Sequence, residues 1–272
     1  MSSLEVLVGL WDWRSWMVLR RNALVHFRNW KTAIVPPAME PVIFFLAFGI
    51  GLGTFVGTMV FDGMTISYVN YIAPGLMAYT SFSTAYFEAL YGSYVRMFYQ
   101  KTWDGMLGTQ VELVHILWGE ILWAGCRGGI NGCIVGVVLT IFHFLGLVEL
   151  VWPVLPLLVV CGFLAAWAFA SFALIFTALV PSIDHMNYPV FMIGIPLGLV
   201  SHTYFPLAPQ HPVFFALLQL NPLYHLAETN RSWLLTGAPN LHLLGLVLSA
   251  LVWLTVCVLI NQPLMRRRVL GD

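Results

Sequence analysis

The sequence predicts an all-α, polytopic membrane protein, and three observations carry that reading. Charged residues make up 9% of the 272 and apolar residues 60%, with a mean hydropathy of +0.84, whereas a typical soluble domain carries about 25% charged residues. Six stretches are apolar over the roughly 20 residues that a helix needs to cross a bilayer. Lys and Arg gather in alternate connections, as their retention on the cytoplasmic side requires.

The stretch 1–36 lacks the basic start, short apolar core and cleavage site of a signal peptide. It mixes Trp11, Trp13, Trp16 and Trp30 with Arg14, Arg20, Arg21, Arg28 and Lys31. Arg14, Arg21 and Arg28 recur every seven residues, so a helix places them on one side, while tryptophan prefers the headgroup level. This predicts an interfacial helix on the cytoplasmic leaflet. A cytoplasmic helix packed on other protein is the alternative.

Five predicted spans fill 37–205, at about 37–60, 70–94, 113–144, 153–180 and 188–205, the last interrupted by Pro196. A sixth, 241–264, precedes a basic tail that ends the chain at 272, and the whole reads as a single transmembrane domain. Five basic residues precede span one, Arg96 and Lys101 lie between spans two and three, and Arg266, Arg267 and Arg268 follow span six. Of the other two, Arg231 lies between spans five and six and Arg127 within span three. Both termini are therefore expected in the cytoplasm. The connection 181–187 has no Lys or Arg, so its inward placement rests on parity alone.

The net charge of +0 excludes a nucleic-acid binder, which needs excess cations to displace phosphate counterions. Cys126, Cys133, Cys161 and Cys257 sit in apolar runs and read as small hydrophobes.

Between spans two and three, Trp103, Asp104, Gly105, Met106, Leu107 and Gly108 suggest a short helix offering Trp103 and Met106 to a soluble partner; a plain loop is the alternative. In 206–240, the apolar runs 212–220 and 223–235 are each too short to cross, so they dip in and return or lie at the outer interface. Asn221-Pro222 marks a helix boundary between them. Tyr224, His225, Glu228 and Arg231 follow at helical spacing, which makes Glu228 the centre of an internally neutralised polar stripe rather than a catalytic set.

Glu88, Glu120 and Arg127 lie inside predicted spans, where an unpaired charge costs at least about 2.5 to 3.5 kcal/mol. Glu120 and Arg127 are about 10.5 Å apart along one helix and are expected to pair across to other helices or to meet substrate. Tyr79, Phe82 and Tyr86 form a stripe that either lines a substrate pathway or packs helices. His202, His211 and His225 show no metal-ligand spacing, and no catalytic residue or metal site is assigned. No G-x-x-x-x-G-K-[ST] phosphate loop occurs.

The run LNPLYHLAETNR (220–231), the final span with its basic tail, and WDGMLGTQVEL (103–113) resemble type-2 ABC exporter permeases, above all the nodulation-type lipooligosaccharide and polysaccharide exporters. The resemblance implies a permease dimer with two separate ATP-binding subunits that hold ATP and Mg, with 103–108 as the coupling helix. It further implies that the chain is not an enzyme and moves a glycolipid, lipooligosaccharide or similar amphipath outward across the inner membrane. An ion-coupled secondary transporter, or a polytopic membrane enzyme, remains the alternative.

Overall fold

The computed structural model describes residues 3–28, 35, 39, 42–61, 63–206 and 212–271. The amino-terminal stretch is two helices, α1 (Ser3–Val8) and α2 (Trp13–Arg28), joined by a 3-10 turn at Gly9–Trp11. Ser15 holds this bend through a 2.7 Å hydrogen bond from its Oγ to the Gly9 carbonyl. Ser15, Val18 and Asn22 face inward at i, i+3, i+7 spacing, whereas Trp13 and Trp16 are exposed.

Helix α3 covers Val42–Val56, with a π-helical stretch at Phe45–Leu52. It stops at Gly57, whose φ of 70° and ψ of −115° suit a residue without a Cβ. The hairpin β1 (Thr58–Phe61) and β2 (Met64–Ser67) follows, with Thr58 opposite Ser67 and Phe61 opposite Met64. The expected first span is thus corrected at its far end: 58–60 is strand, where β-branched Thr58 and Val60 pair with Ser67 and Thr65. Residues 37, 38, 40 and 41 of that span, like Trp30 and Lys31, lie outside the described residues.

Helix α4 (Tyr68–Phe87) starts where the Ser67 hydroxyl accepts from the Asn70 N–H. It continues through π-turns at Glu88–Gly92 and Val95–Tyr99, so Arg96 stands in a helix and not in the expected loop. Then come α5 (Thr102–Leu107), α6 (Leu113–Phe144) and α7 (Leu155–Leu179). Glu112 and His115 close a reciprocal cap on α6. Next is α8, which runs Asn187–Pro189, a π-turn Val190–Gly194 and Ile195–Val200, followed by α9 (Pro212–Gln219), α10 (Pro222–Thr236) and α11 (His242–Leu270).

Among the described residues three helices are long and apolar enough to cross a membrane: Leu113–Phe144, Trp152–Leu179 and His242–Leu270. These coincide with the third, fourth and sixth predicted spans, and the chain is a polytopic helical membrane protein. The other three expected spans fall on α3, which is shorter, on α4, whose apolar residues alternate with Tyr, Ser and Thr, and on the interrupted α8.

Helix α6 is the hub, packed against α2, α4 and α7, while α11 lies on α7 and α10 on α4. Gly128 permits this closeness: a Cβ there would collide with the Ser81 carbonyl on α4 and with Ala166 on α7. Helix α1 packs on α11, which brings the two termini to one end of the bundle. The Arg268 guanidinium lies 4.8 Å over the Phe98 ring and donates to the Val180 carbonyl at 2.9 Å. The Tyr94 hydroxyl donates to Pro181 at 3.1 Å. Connection 181–187, which carries no positive charge, is therefore fixed at this same basic end.

Candidate functional site

The basic end holds a buried ionic cluster built on α4 and α6. Arg96 reaches Glu120 through Nε at 3.0 Å and Nη2 at 2.5 Å, and Glu88 through Nη1 at 2.8 Å. Arg127 pairs with the other Glu88 oxygen. Neutral donors complete both carboxylates. Ser93 Oγ, Trp103 Nε1 and Asn22 Nδ2 donate to Glu120 at 2.9, 3.2 and 3.3 Å, and Trp123 Nε1 donates to Glu88 at 2.8 Å. Such saturation is what allows charges to sit in low dielectric, since an unfilled lone pair would carry its full desolvation cost.

The cluster revises several expectations. Trp103 is 0% exposed, so it faces the bundle and not a partner. Its helix turns Asp104, Gly105 and Gly108 outward, with Met106 and Leu107 half-buried. The reason is the indole N–H, whose acceptor lies inside. Glu120 is also 0% exposed and fully engaged, and Phe82 and Tyr86 are 2% and 0% exposed. Phe82 sits edge-on to Phe169 at 4.6 Å, and the Tyr86 hydroxyl donates to Pro189 at 3.0 Å. Phe82 and Tyr86 are thus packed between helices and Glu120 is ion-paired, which is the alternative that their spacing left open beside a pathway role. Glu120 and Arg127 pair with other helices' residues, as the spacing suggested.

Beside the cluster, the bend before α2 is pinned to α6. His115 Nε2 lies 3.3 Å from Asp12 Oδ2, and the Arg14 backbone N–H donates to Asp12 Oδ1 at 2.9 Å. The Arg14 N–H, with His115 nearby, holds the Asp12 carboxyl below the usual carboxylate range. On α2, burial and then the Arg127 cation push the His26 imidazole down.

The opposite end carries the second polar centre. Asn221 caps α10 through its Oδ1, which accepts from the Leu223 N–H at 3.0 Å, and Pro222 occupies the first turn, where its missing N–H costs nothing. From α10, the fully buried Arg231 donates to Glu228 at 2.5 Å, to the His202 carbonyl at 2.7 Å and to the Tyr71 carbonyl at 3.2 Å. Its guanidinium also lies 3.8 Å over the Tyr71 ring. His202 Nδ1 is 3.1 Å from the same Glu228 oxygen. His225 turns away, to His242 at 3.1 Å and the Gln219 carbonyl at 2.8 Å. Tyr224 stands edge-on between the His202 and His242 rings.

The predicted stripe is therefore neutralised at Glu228–Arg231, with His202 rather than His225 as the third member. His202 adopts a left-handed φ of 57°, a conformation uncommon outside glycine. A Cβ on Gly75 would strike the Thr203 carbonyl, so α4 and this turn meet backbone to backbone. Among the described residues no group of three or more His, Cys, Asp or Glu could hold a metal ion; His211 lies outside them.

Of the predicted stripe, Tyr79 lines a cleft. It shares a 260 Å³ opening with Phe44, Phe48, Leu199 and Tyr204, between α3, α4 and α8. Sequence reasoning missed Asn22, Ser93, Arg96 and Trp123 as partners of the buried acids. Arg96 carried the available signal, but it had been counted among loop cations.

Comparison with known proteins agrees with this architecture. A family model described as ABC-2 type transporter matches residues 14–235. Nodulation protein J of Rhizobium meliloti (strain 1021) is 31% identical over 261 residues, 96% of this chain and 95% of that one. Nodulation protein J of Rhizobium leguminosarum bv. viciae is 30% identical over 94% of this chain and 95% of its own. The inner membrane transport permease YadH of Escherichia coli (strain K12) is 24% identical over 73% of this chain and 74% of its own. The chain belongs to the ABC-2 type transporter family, as a membrane permease component and not an enzyme.

Proposed function

We propose that this permease is the membrane half of an ATP-driven exporter carrying an amphipathic glycolipid, such as a lipooligosaccharide, outward across the inner membrane. The observation that carries the mechanism is the fixing of α5. Trp103 ties it to a buried carboxylate of α6 while Asp104, Gly105 and Gly108 stay exposed. A helix rigidly joined to the spans, with a free outer face, transmits a push from a soluble ATP-binding subunit. Two such subunits would serve a permease dimer and hold the ATP and Mg.

The basic end faces the cytoplasm in this reading, in keeping with the positive charge gathered there. Helices α3, α4 and α8 complete six spans. Helix α10, about 22 Å long at 1.5 Å per residue, dips in with α9 and returns without crossing. The aromatic cleft at Tyr79 forms part of the route, and Arg127, the half-exposed member of the ionic cluster, is a second candidate contact. Similarity to Nodulation protein J over nearly the whole chain supports the substrate class.

The test is transport. Inside-out vesicles holding the permease and its co-purifying ATP-binding subunit should take up a fluorescent lipooligosaccharide when ATP is added. Uptake driven by an ion gradient without ATP would overturn the proposal.

A further inference from the structure

Next to the ionic cluster lies a cleft of 270 Å³ between α2 and the end of α4, lined by Arg21, Asn22, Val25, Tyr91, Arg96 and Gln100 among others. Its charge is unbalanced. Arg21, Arg96 and Arg127 stand against Glu88 and Glu120 alone, and those two carboxylates are already spent on Arg96 and Arg127. One positive charge is left over, and it is that of Arg21.

Arg21 is linked to the cluster but not neutralised by it. Its Nη1 donates to Asn22 Oδ1 at 2.9 Å, and Asn22 passes the contact on to Glu120 at 3.3 Å. A guanidinium has five N–H donors, and among the described residues Arg21 uses its side chain in this one hydrogen bond. Burial and then the neighbouring Arg96 cation disfavour its charge, and the Glu120 carboxylate offsets them only in part. Arg21 lines the cleft with donors to spare for an acceptor bearing negative charge, and Gln100 stands on the same lining.

We infer that this cleft binds one phosphate group, with Arg21 as the principal contact and the neutralised cluster behind it holding Asn22 and Arg96 in place. Planar guanidinium donors match phosphate oxygens in pairs, which makes arginine the stronger partner for such a group. The cleft's 270 Å³ gives room for one phosphate and its ester arm. Because α2 carries exposed tryptophans, a residue favoured at the headgroup level, the phosphate of an anionic lipid is within reach, as is free phosphate. The site would bind whatever the permease carries, so its failure leaves the export reading standing.

Native mass spectrometry of the full chain in mild detergent tests this, with phosphatidylglycerol, phosphatidylcholine and inorganic phosphate as probes. Wild type should retain one phosphatidylglycerol in preference to phosphatidylcholine, and Arg21→Ala should weaken that retention roughly tenfold or more, the loss of one or two charge-assisted bonds. Displacement of the lipid by inorganic phosphate would identify a site open to free phosphate; no displacement would identify a lipid headgroup site. Val25→Glu, at an exposed wall position, should abolish retention by placing a carboxylate in the cleft, and serves if Arg21→Ala is poorly folded. Equal retention by wild type and Val25→Glu overturns the inference.

Discussion

The indole N–H of Trp103, on a six-residue helix, donates to Oε1 of Glu120 at 3.2 Å, in the middle of a buried ionic cluster. The short helix is thereby an extension of the span and moves with it. Trp103→Phe should keep most of the packing and lower the thermal midpoint through the lost bond to a charged group, about 1.5 to 3 kcal/mol. Asp104→Arg, on the exposed face, should leave the midpoint unchanged yet reduce co-purification of the ATP-binding subunit. Undiminished co-purification would remove α5 from the docking surface.

Arg96 is the residue on which both buried acids depend. Arg96→Met should destabilise the chain by about 3 to 5 kcal/mol, because Glu120 would be left buried without its cation. Adding Glu120→Gln should recover part of that loss, measurable by thermal unfolding in detergent. A double variant no better than the single one would show that packing, and not charge, sets the cost.

At the opposite end, Glu228 and Arg231 should behave as one unit. A cycle of Glu228→Gln, Arg231→Met and the double variant should give a coupling energy of about 0.5 to 3 kcal/mol. Additive effects would mean that the His202 and Tyr71 carbonyls suffice for Arg231.

The bend between α1 and α2 should loosen in acid. The Asp12 carboxyl titrates below its ordinary value of 3.8, so its contribution is present above that pH and is lost as pH falls through the lower, folded value. Hydrogen exchange over 3–12 should therefore rise at low pH in wild type. In Asp12→Asn it should be raised already at neutral pH.

Much of the fold was legible because apolar length is a strong signal: α6, α7 and α11 fall within a few residues of their predicted spans. The Asn221-Pro222 boundary and the Glu228–Arg231 pair were equally readable, both being local in sequence. The cluster at Glu88 was not. Its partners come from four segments, and the Glu88–Arg96 pair defies ordinary helical spacing. Trp103 misled for a related reason: a tryptophan in a short polar connection reads as exposed unless its buried acceptor, 17 residues on, is known. The hairpin at 58–67 straddles the expected end of span one and the connection after it, too short a pair of strands to stand out by alternation.

The π-turn at Glu88–Gly92 explains that spacing. Eight residues of regular α-helix would leave Arg96 about 80° round the axis from Glu88, at 100° per residue. A π-turn absorbs one extra residue, which reduces the offset to about 20° and lets the two side chains meet. The cluster therefore works as a torsional latch: rewinding this one turn would swivel everything beyond it, Arg96 and the Trp103 helix included, by about a quarter revolution. Helix α4 thus holds a twist that its own ion pairs keep wound.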